Sequence, residues 1–529
     1  MRYFAARAER AQLSTRRAFL KGLSTFGIAP AFPACTGSES AGVPPASGSG
    51  TFQHGVASGD PYSDSVVLWT RVTPAEDAPV AVEWRIARDP DMTDVLISGV
   101  FATDATRDFT VKVLPSGLAA DTHYWYQFAT ADAVSTIGRT KTAPRAEASL
   151  DAVRFAFTSC AYYSMGHFNA YRHIADRDDL DVVLTLGDYI YEDGGDEPLA
   201  TPLVAGRYMA PAHEITTLSD YRMRHALYKT DPDLQAAHAR HPWICTWDDH
   251  ESTNNSHATG ADDHTPGEEG IWSERKQASV QAYFEWMPVR EAFNPNTHHG
   301  VHLYRRIRYA DLVEFFVLDT RLEGRDPQAA DQTEAEAAGR RMISAEQEAW
   351  LLDGIRQTPA RWKIIAQQTM MSQLFSLPRS PFSYDSWDGY VEQRGRLLDA
   401  FDASGNVVVI TGDIHTAFAC ELTADPTDRA AYAPGDRGAV AVEFVCPSVT
   451  TQGLPPAVVE LMRSYNRQIR FAEGALGAGH GYVVVTATHD RCEGAWFFSN
   501  ALTRGDYERT GPVWFVGDGG RALSRGSRR

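Results

Sequence analysis

Five short apolar runs in the chain each stop at residues that bind metal ions: 154–160 (RFAFTSC), 181–191 (DVVLTLGDYIY), 243–251 (WICTWDDHE), 362–368 (WKIIAQQ) and 407–415 (VVVITGDIH). Apolar runs of this length, rich in Val, Ile, Leu and Phe, have the pattern of buried strands. At their ends stand a thiol (Cys160), carboxylates (Asp188, Asp249, Asp413), a phenol (Tyr191), imidazoles (His250, His415) and an amide (Gln367 or Gln368). A single Asp after a strand is commonly a turn residue or helix cap, and a lone buried Cys is commonly a small hydrophobe. Turn chemistry does not, however, require GD-x-x-Y, DDHE and GD-x-H at three separate strand ends. In an open α/β sheet the ligand site lies outside the carboxyl ends of the strands, so these side chains should converge on one crevice and hold a cluster of cations.

Such a cluster suits phosphate ester hydrolysis, in which cations bind the phosphoryl oxygens, lower the pKa of a bound water and neutralise the departing charge. Cys160, Asp188, Tyr191 and His415 form a mixed sulfur, oxygen and nitrogen set whose thiolate and phenolate donors favour trivalent iron over magnesium or calcium. Asp188 has two oxygens and can bridge to a second cation. There Asp249, Asp413 and one of the two glutamines offer only hard oxygen donors, which select Ca²⁺, Mg²⁺ or Mn²⁺. On a strand only one of Gln367 and Gln368 can face the crevice. Asn254 and Asn255 are candidates to reach metal or phosphate, and Arg321 in LDTR to grip phosphate oxygens bidentately or else to tie down a loop.

The elements that must position these groups follow from periodicity. Residues 65–71, 80–86, 108–113 and 123–130 alternate apolar with polar and are separated by turn residues, which predicts an immunoglobulin-like β-sandwich over 51–147. From 151 to 500 strands alternate with helical patterns, as in an α/β sandwich. Residues 166–175, 344–356 and 273–286 have helical spacing, the last with Ser273 as candidate N-cap, while 200–230 and 251–270 read as long irregular loops shaping a substrate entrance. Residues 501–529 read as a solvated tail.

The ordered motifs HGVASGDPYSDSVVLWTRV, FTSC, GDYIYEDG, WDDHE, LDTR, QQTMMSQ and GDIH resemble the PhoD-type alkaline phosphatases, relatives of the purple acid phosphatases among the calcineurin-like metallophosphoesterases. The resemblance covers nearly the whole chain, and it implies that the C-terminal segment can lie over the active site instead of being a solvated terminus. It implies a metallophosphoesterase-type αββα sandwich catalytic domain preceded by the immunoglobulin-like domain. It also implies Fe³⁺ on Cys160, Asp188, Tyr191 and His415, and one or two Ca²⁺ held with Asp249, Gln368 and Asp413. Cys160 stands where most metallophosphoesterases have Asp, and Gly-Asp-Ile-His replaces the Gly-His-x-His of the wider superfamily, which argues against a zinc-type second site. His250 corresponds to the His that assists leaving-group departure in purple acid phosphatases. Asp248 and Glu251 beside it are placed to raise its pKa, or to hold it in a purely structural hydrogen bond.

Composition bounds the setting. With 529 residues, 43% of them hydrophobic and 11% aromatic, the chain can bury more than one core. A formal charge of −18 counts against nucleic acid or an anionic membrane as the main partner, since both need a basic face. An anionic substrate stays compatible where bound cations supply local positive charge. Thr15-Arg16-Arg17-Ala18-Phe19-Leu20-Lys21 matches the signal read by the twin-arginine export machinery, and the apolar stretch 22–34 after it is too short to span a bilayer. Residues 1–34 are therefore expected to be a signal peptide, 35–50 a linker, and the protein a periplasmic or extracellular monomer. Phe32-Pro33-Ala34-Cys35 also resembles a lipoprotein site, making Cys35 a candidate lipid anchor, with ordinary cleavage near Ala31 or Ala34 as the alternative. If Cys160 binds metal, Cys245, Cys420, Cys446 and Cys492 allow two disulfides in three connectivities.

The reading is an exported metal-dependent phosphomonoesterase or phosphodiesterase acting on small-molecule or lipid phosphate esters. A phospholipase D-like phosphodiesterase is the alternative within the resemblance. A reading of another class is a non-enzymatic, calcium-stabilised surface protein that uses its β-sandwich for adhesion; donors of mixed softness in one crevice count against it.

Overall fold

Tyr124, Tyr126 and Phe128 are buried at every second position of the strand His123–Ala129, with half-buried residues between them. This period of two places one face of the strand on a core and the other toward solvent. A computed structural model describes residues 47–194, 202–291, 303–474 and 478–527, all within one structural unit, Pro44–Arg529. The expected signal peptide and Cys35 lie outside the described residues. His123–Ala129 belongs to a four-stranded sheet in the order Val95–Thr103, Val80–Ala87, His123–Ala129, Gly138–Lys141. Its inner face meets Val56–Gly59, Val67–Arg71 and Thr110–Val113 across a core that includes Leu68, Val82, Ile86 and Val111. Two sheets over one core make the expected sandwich.

The second layer of that sandwich is not a separate body. Val56–Gly59 pairs in parallel with Pro242–Cys245, with Ser58 opposite Pro242 and Gly59 opposite Trp243. The N-terminal strands thus extend a ten-stranded sheet in the order Ser524–Gly526, Arg509–Gly517, Arg491–Ser499, His480–Thr488, Ala152–Thr158, Val182–Thr185, Pro242–Cys245, Val56–Gly59, Val67–Arg71, Thr110–Val113. Asp60, just past the junction, accepts from the Arg290 backbone N–H at 2.8 Å and pairs with buried Arg305 at 2.6 Å. The segment 501–529, expected as a solvated tail, supplies two of the strands: Arg509–Gly517 pairs antiparallel with Arg491–Ser499. Its VWFV run at 513–516 has strand character that the surrounding Gly and Arg obscure.

Val182–Thr185, Pro242–Cys245, Trp362–Ala366 and Val407–Thr411 are buried at every position, as strands covered on both faces must be. The last two lie in a seven-stranded sheet, Arg305–Tyr309, Val313–Val317, Trp362–Ala366, Val407–Thr411, Ala441–Val445, Thr416–Leu422, Ile469–Gly474. Phe155, Phe157, Leu184 and Val485 of the larger sheet interlock with Phe315, Ile364, Ile410 and Phe444 of the smaller in one core. Helices close the outer faces. Asn169–Ala175, Leu218–Lys229, Pro232–Arg240 and Trp272–Trp286 cover one, and Ala345–Gln357 with Val391–Ser404 cover the other. The architecture is the αββα sandwich.

Local details depart from expectation in readable ways. Ser344 caps its helix by accepting from Gln347 N–H, but Trp272–Trp286 starts two residues too early for Ser273 to cap it, and Ile271 at the cap makes no side-chain bond. The stretch 200–230 contains the helix Leu218–Lys229, begun by a capping box between Thr217 and Asp220. Cys160, Cys245, Cys420, Cys446 and Cys492 are all free and buried, so the two disulfides do not form. Cys245 and Cys420 sit in different cores, and Cys446 and Cys492 pack between the sheets as small hydrophobes. Among the described residues no helix is long and apolar enough to cross a membrane.

Candidate metal centre

Three of the five runs end on the larger sheet and two on the smaller, and the crevice opens where the two sets of carboxyl ends face each other. The chain leaves these strands through left-handed turns: φ is 63° at Cys160, 53° at Asp188, 61° at Asp413 and 55° at His415. A non-glycine residue there costs on the order of 1–3 kcal/mol, and such residues cluster at functional sites. Two glycines allow the turns to approach each other. A Cβ on Gly187 would lie 2.2 Å from the Asp248 nitrogen, and one on Gly412 would lie 2.2 Å from Ser159 Oγ across the two sheets. Glu251 braces the same turns by accepting from the backbone N–H groups of Asp188 (3.0 Å), Tyr189 (2.6 Å) and Asp248 (2.6 Å).

Cys160, Asp188 and His415 bring their ligand atoms within 4.8 Å of one another. Tyr191 joins them. Its hydroxyl donates to Asp188 Oδ2 at 2.9 Å, lies 3.3 Å from His415 Nε2 and is 2.9 Å from the Thr451 hydroxyl. Tyr189 points elsewhere, with its hydroxyl on His238 (2.9 Å) and Lys229 (3.0 Å). His415 Nδ1 lies 3.2 Å from the Gln452 carbonyl, an arrangement that leaves Nε2 with its lone pair toward the cluster. Burial and the Asp188 charge push both the Cys160 thiol and the Tyr191 phenol well above their ordinary ranges. Without a cation these two groups stay protonated; a bound cation reverses that order.

Asp188 also belongs to a group with Asp249 and His250, and Asp249 to a third group with Asp248 and Asp413. Asp248 is thus a candidate ligand that the sequence reading placed only as a neighbour of His250. Burial pushes Asp413 up to about 8, against the pull of Arg321. The group fits cations on direct grounds: among the described residues Asp188 Oδ1 and Asp248 Oδ2 are buried without a hydrogen-bond partner, and buried Asp249 Oδ1 has only Arg321 at 3.5 Å. Carboxylate oxygens left in that state need a positive charge. One set offers sulfur, oxygen and nitrogen donors, and the other only carboxylate oxygen.

Three of the candidate site residues bond within the protein. Arg321 does not reach outward to phosphate. Its side chain is 0% exposed, bonded to Asp248, to Asp385 at 2.7 Å and to Asp413 at 2.9 Å, with Asp249 at 3.5 Å. It is the counter-charge that holds the carboxylates of the second set. Gln368 does not turn toward the cluster either. Its Oε1 accepts from Thr320 N–H (3.1 Å) and Oγ1 (2.6 Å), which uses both lone pairs, and its Nε2 donates to Thr246 Oγ1 and the Leu318 carbonyl. It ties the loops of the two sheets together. Asn255, at φ 54°, braces Asp249 through its backbone N–H at 2.7 Å and donates its amide to Asp262 at 2.8 Å.

His250 lies against the cluster, its ring centroid 4.2 Å from that of Tyr191. Neither Asp248 nor Glu251 holds it. Glu192 does, at 2.5 Å from Nδ1, and Glu192 is itself fixed by the Asn254 backbone N–H (2.7 Å) and Thr253 Oγ1 (3.2 Å). Burial alone would lower the His250 pKa, but Glu192, Asp188 and Asp249 hold it well above the ordinary histidine range. Glu192 in turn is lowered to about 2, because His250 and its hydrogen bonds outweigh burial. The signal for Glu192 was its place directly after Tyr191, in the same strand-end segment. Asp385 had none.

Two family models match the chain: the PhoD-like phosphatase over residues 155–496 and the PhoD-like phosphatase N-terminal domain over 37–144. Alkaline phosphatase D of Bacillus subtilis (strain 168) is 39% identical over 420 residues, which span 76% of this chain and 70% of that protein. A solved structure of PhoD superimposes with a TM-score of 0.82 at 34% identity, covering 90% of this chain and 92% of the other. The chain therefore belongs to the PhoD-like phosphatase family and is a phosphoric ester hydrolase.

Proposed function

We propose that the chain is an exported alkaline phosphatase that cleaves phosphate monoesters and diesters at a centre of Fe³⁺ and one or two Ca²⁺ ions, releasing phosphate. The observation that carries this reading is a run of donor groups linked through Asp188 and Asp249: Cys160, Tyr191 and His415 gather around Asp188, and the carboxylates Asp248 and Asp413 around Asp249. The first suits iron and the second calcium. When bound, the cations supply Lewis acidity toward the phosphoryl oxygens and an activated water. The chain's own groups do the rest. Arg321 keeps Asp248, Asp249 and Asp413 spaced and oriented, Glu251 fixes the Asp188 turn, and His250, with Nδ1 engaged by Glu192, has Nε2 left to donate a proton to a departing oxygen.

Mild chelation should remove the ion of the all-carboxylate set first, because hard oxygen donors hold calcium less tightly than thiolate and phenolate hold iron. Hydrolysis of a chromogenic monoester and a bis-ester should fall to background and return with Ca²⁺. Recovery with Zn²⁺ alone would sink the calcium assignment. Turnover of phosphatidylcholine in preference to both esters would replace the phosphatase reading with a phospholipase D-like one.

Export rests on the arginine pair of the string Thr15 to Lys21. Arg16→Lys combined with Arg17→Lys should leave the enzyme in the cytoplasmic fraction. Normal periplasmic activity from that variant would refute the route, and recovery of wild type in the membrane fraction would favour acylation at Cys35 over ordinary cleavage.

A further inference from the structure

Away from the metal centre, strands of the two sheets and the helix Pro456–Tyr465 line an open surface cavity of about 500 Å³. Arg463, Arg470, Arg509 and Arg525 line it together with Phe471 and Trp514. The volume lies within the range of small-ligand sites. Phe471 stands opposite Ala419, four residues along the strand from His415, which sets Phe471 roughly 13 Å along the sheet from His415 at about 3.3 Å per residue. Four guanidiniums in one cavity are unexpected in a chain of formal charge −18.

Existing partners do not exhaust these groups. Arg470 pairs with Glu421 at 2.8 Å and lies over the Trp514 ring, and Arg509 pairs with Glu473. Among the described residues Arg463 forms an ion pair only with Glu460, a surface carboxylate 76% exposed, at 3.1 Å, and such pairs hold weakly. Arg525 makes no ion pair among the described residues. Each guanidinium carries five N–H donors, so four of them against three carboxylates leave both donors and positive charge in excess. Two donors of lining side chains, Arg463 Nε and Trp514 Nε1, are shielded from solvent and have no acceptor among the described residues. Shielded donors without acceptors are costly and mark a place where an acceptor belongs.

We propose that this cavity is a second anion site that takes a phosphoryl dianion: Arg463 and Arg525 supply the forked donors that match phosphate oxygens, and Trp514 and Phe471 form an apolar wall. The dianion has two sources, free inorganic phosphate or the head of an organic phosphate whose remaining group rests on the wall. The site is independent of the metal chemistry.

Calorimetric titration of the metal-loaded enzyme, at constant ionic strength in chloride, distinguishes the outcomes. Inorganic phosphate and phenylphosphonate are the probes. Wild type should bind one equivalent more than Arg463→Gln combined with Arg525→Gln, whose second-site affinity should fall at least ten-fold, while hydrolysis at saturating substrate stays unchanged. Phenylphosphonate binding this site more tightly than phosphate identifies the organic source, and equal or weaker binding the inorganic one. Arg525→Gln alone, on an exposed strand, should weaken the same site in the same direction if the double variant does not fold. Equal stoichiometry and affinity in wild type and variants, or hydrolysis falling in step with binding, would overturn the proposal.

Discussion

Asp188→Asn should lower hydrolysis of every ester on the order of 10³-fold or more and leave the purified protein without visible colour. The expectation follows from position: among the described residues Asp188 contributes to two of the three donor groups, and its Oδ1 is buried without a hydrogen bond while Oδ2 accepts from Tyr191. An amide keeps the shape, loses the charge and offers one oxygen. Electrostatic stabilisation by cations amounts to several kcal/mol and each 1.36 kcal/mol is tenfold in rate, so disturbing both sites at once multiplies the loss. Colour separates this from mere misfolding. A phenolate on Fe³⁺ gives a charge-transfer band, so Tyr191→Phe should lose or shift it and Tyr189→Phe, whose hydroxyl faces His238 and Lys229, should keep it. Cys160→Ser should retain less iron by elemental analysis, because a neutral hydroxyl replaces a thiolate. Colourless, iron-free wild type with full activity would overturn the first-site assignment.

What could be read from the sequence was local. Strand ends that stop at Cys160, Asp188, Asp249 and Asp413 are visible because the apolar run and its terminal donors are contiguous, and the choice of Tyr191 over Tyr189 follows from its spacing beyond Asp188. What could not be read depends on partners far apart in the chain. Arg321 and Asp248 are separated by 73 residues, Arg321 and Asp385 by 64, and nothing in LDTR states that its guanidinium ends among carboxylates rather than on substrate. Gln368 is a related case: position at a strand end predicts reach toward the crevice, while in the structure Thr320 and Thr246 engage the amide. The shared sheet was hidden because Val56–Gly59 pairs with Pro242–Cys245, and period-two alternation shows that a strand exists without showing its neighbour. The Gly/Arg composition after Ser499 concealed two strands in the same way.

His250→Ala should slow esters with poor leaving groups on the order of 10²- to 10⁴-fold, the range of general acid catalysis, while changing esters of acidic phenols and the KM of either class little. An equal loss on both classes would make His250 a structural residue. The geometry that favours the acid role is the Glu192 contact at 2.5 Å, and it yields a separate test. Glu192→Gln can still accept from Nδ1 through its carbonyl oxygen but removes the charge that, against burial, helps hold the imidazolium above the ordinary histidine range. A general acid works only while protonated, so the rate falls as pH rises through its pKa. Lowering that pKa must therefore move the alkaline limb of the profile toward lower pH. Since the metal ligands are common to wild type and Glu192→Gln, their influence cancels in the comparison and the displacement reports on Glu192 alone. The loss in Glu192→Gln should accordingly be small on the acid side of the profile and grow toward alkaline pH, most of all for poor leaving groups. A profile of unchanged shape, scaled down equally at every pH, would show that Glu192 only positions the ring and does not set its charge.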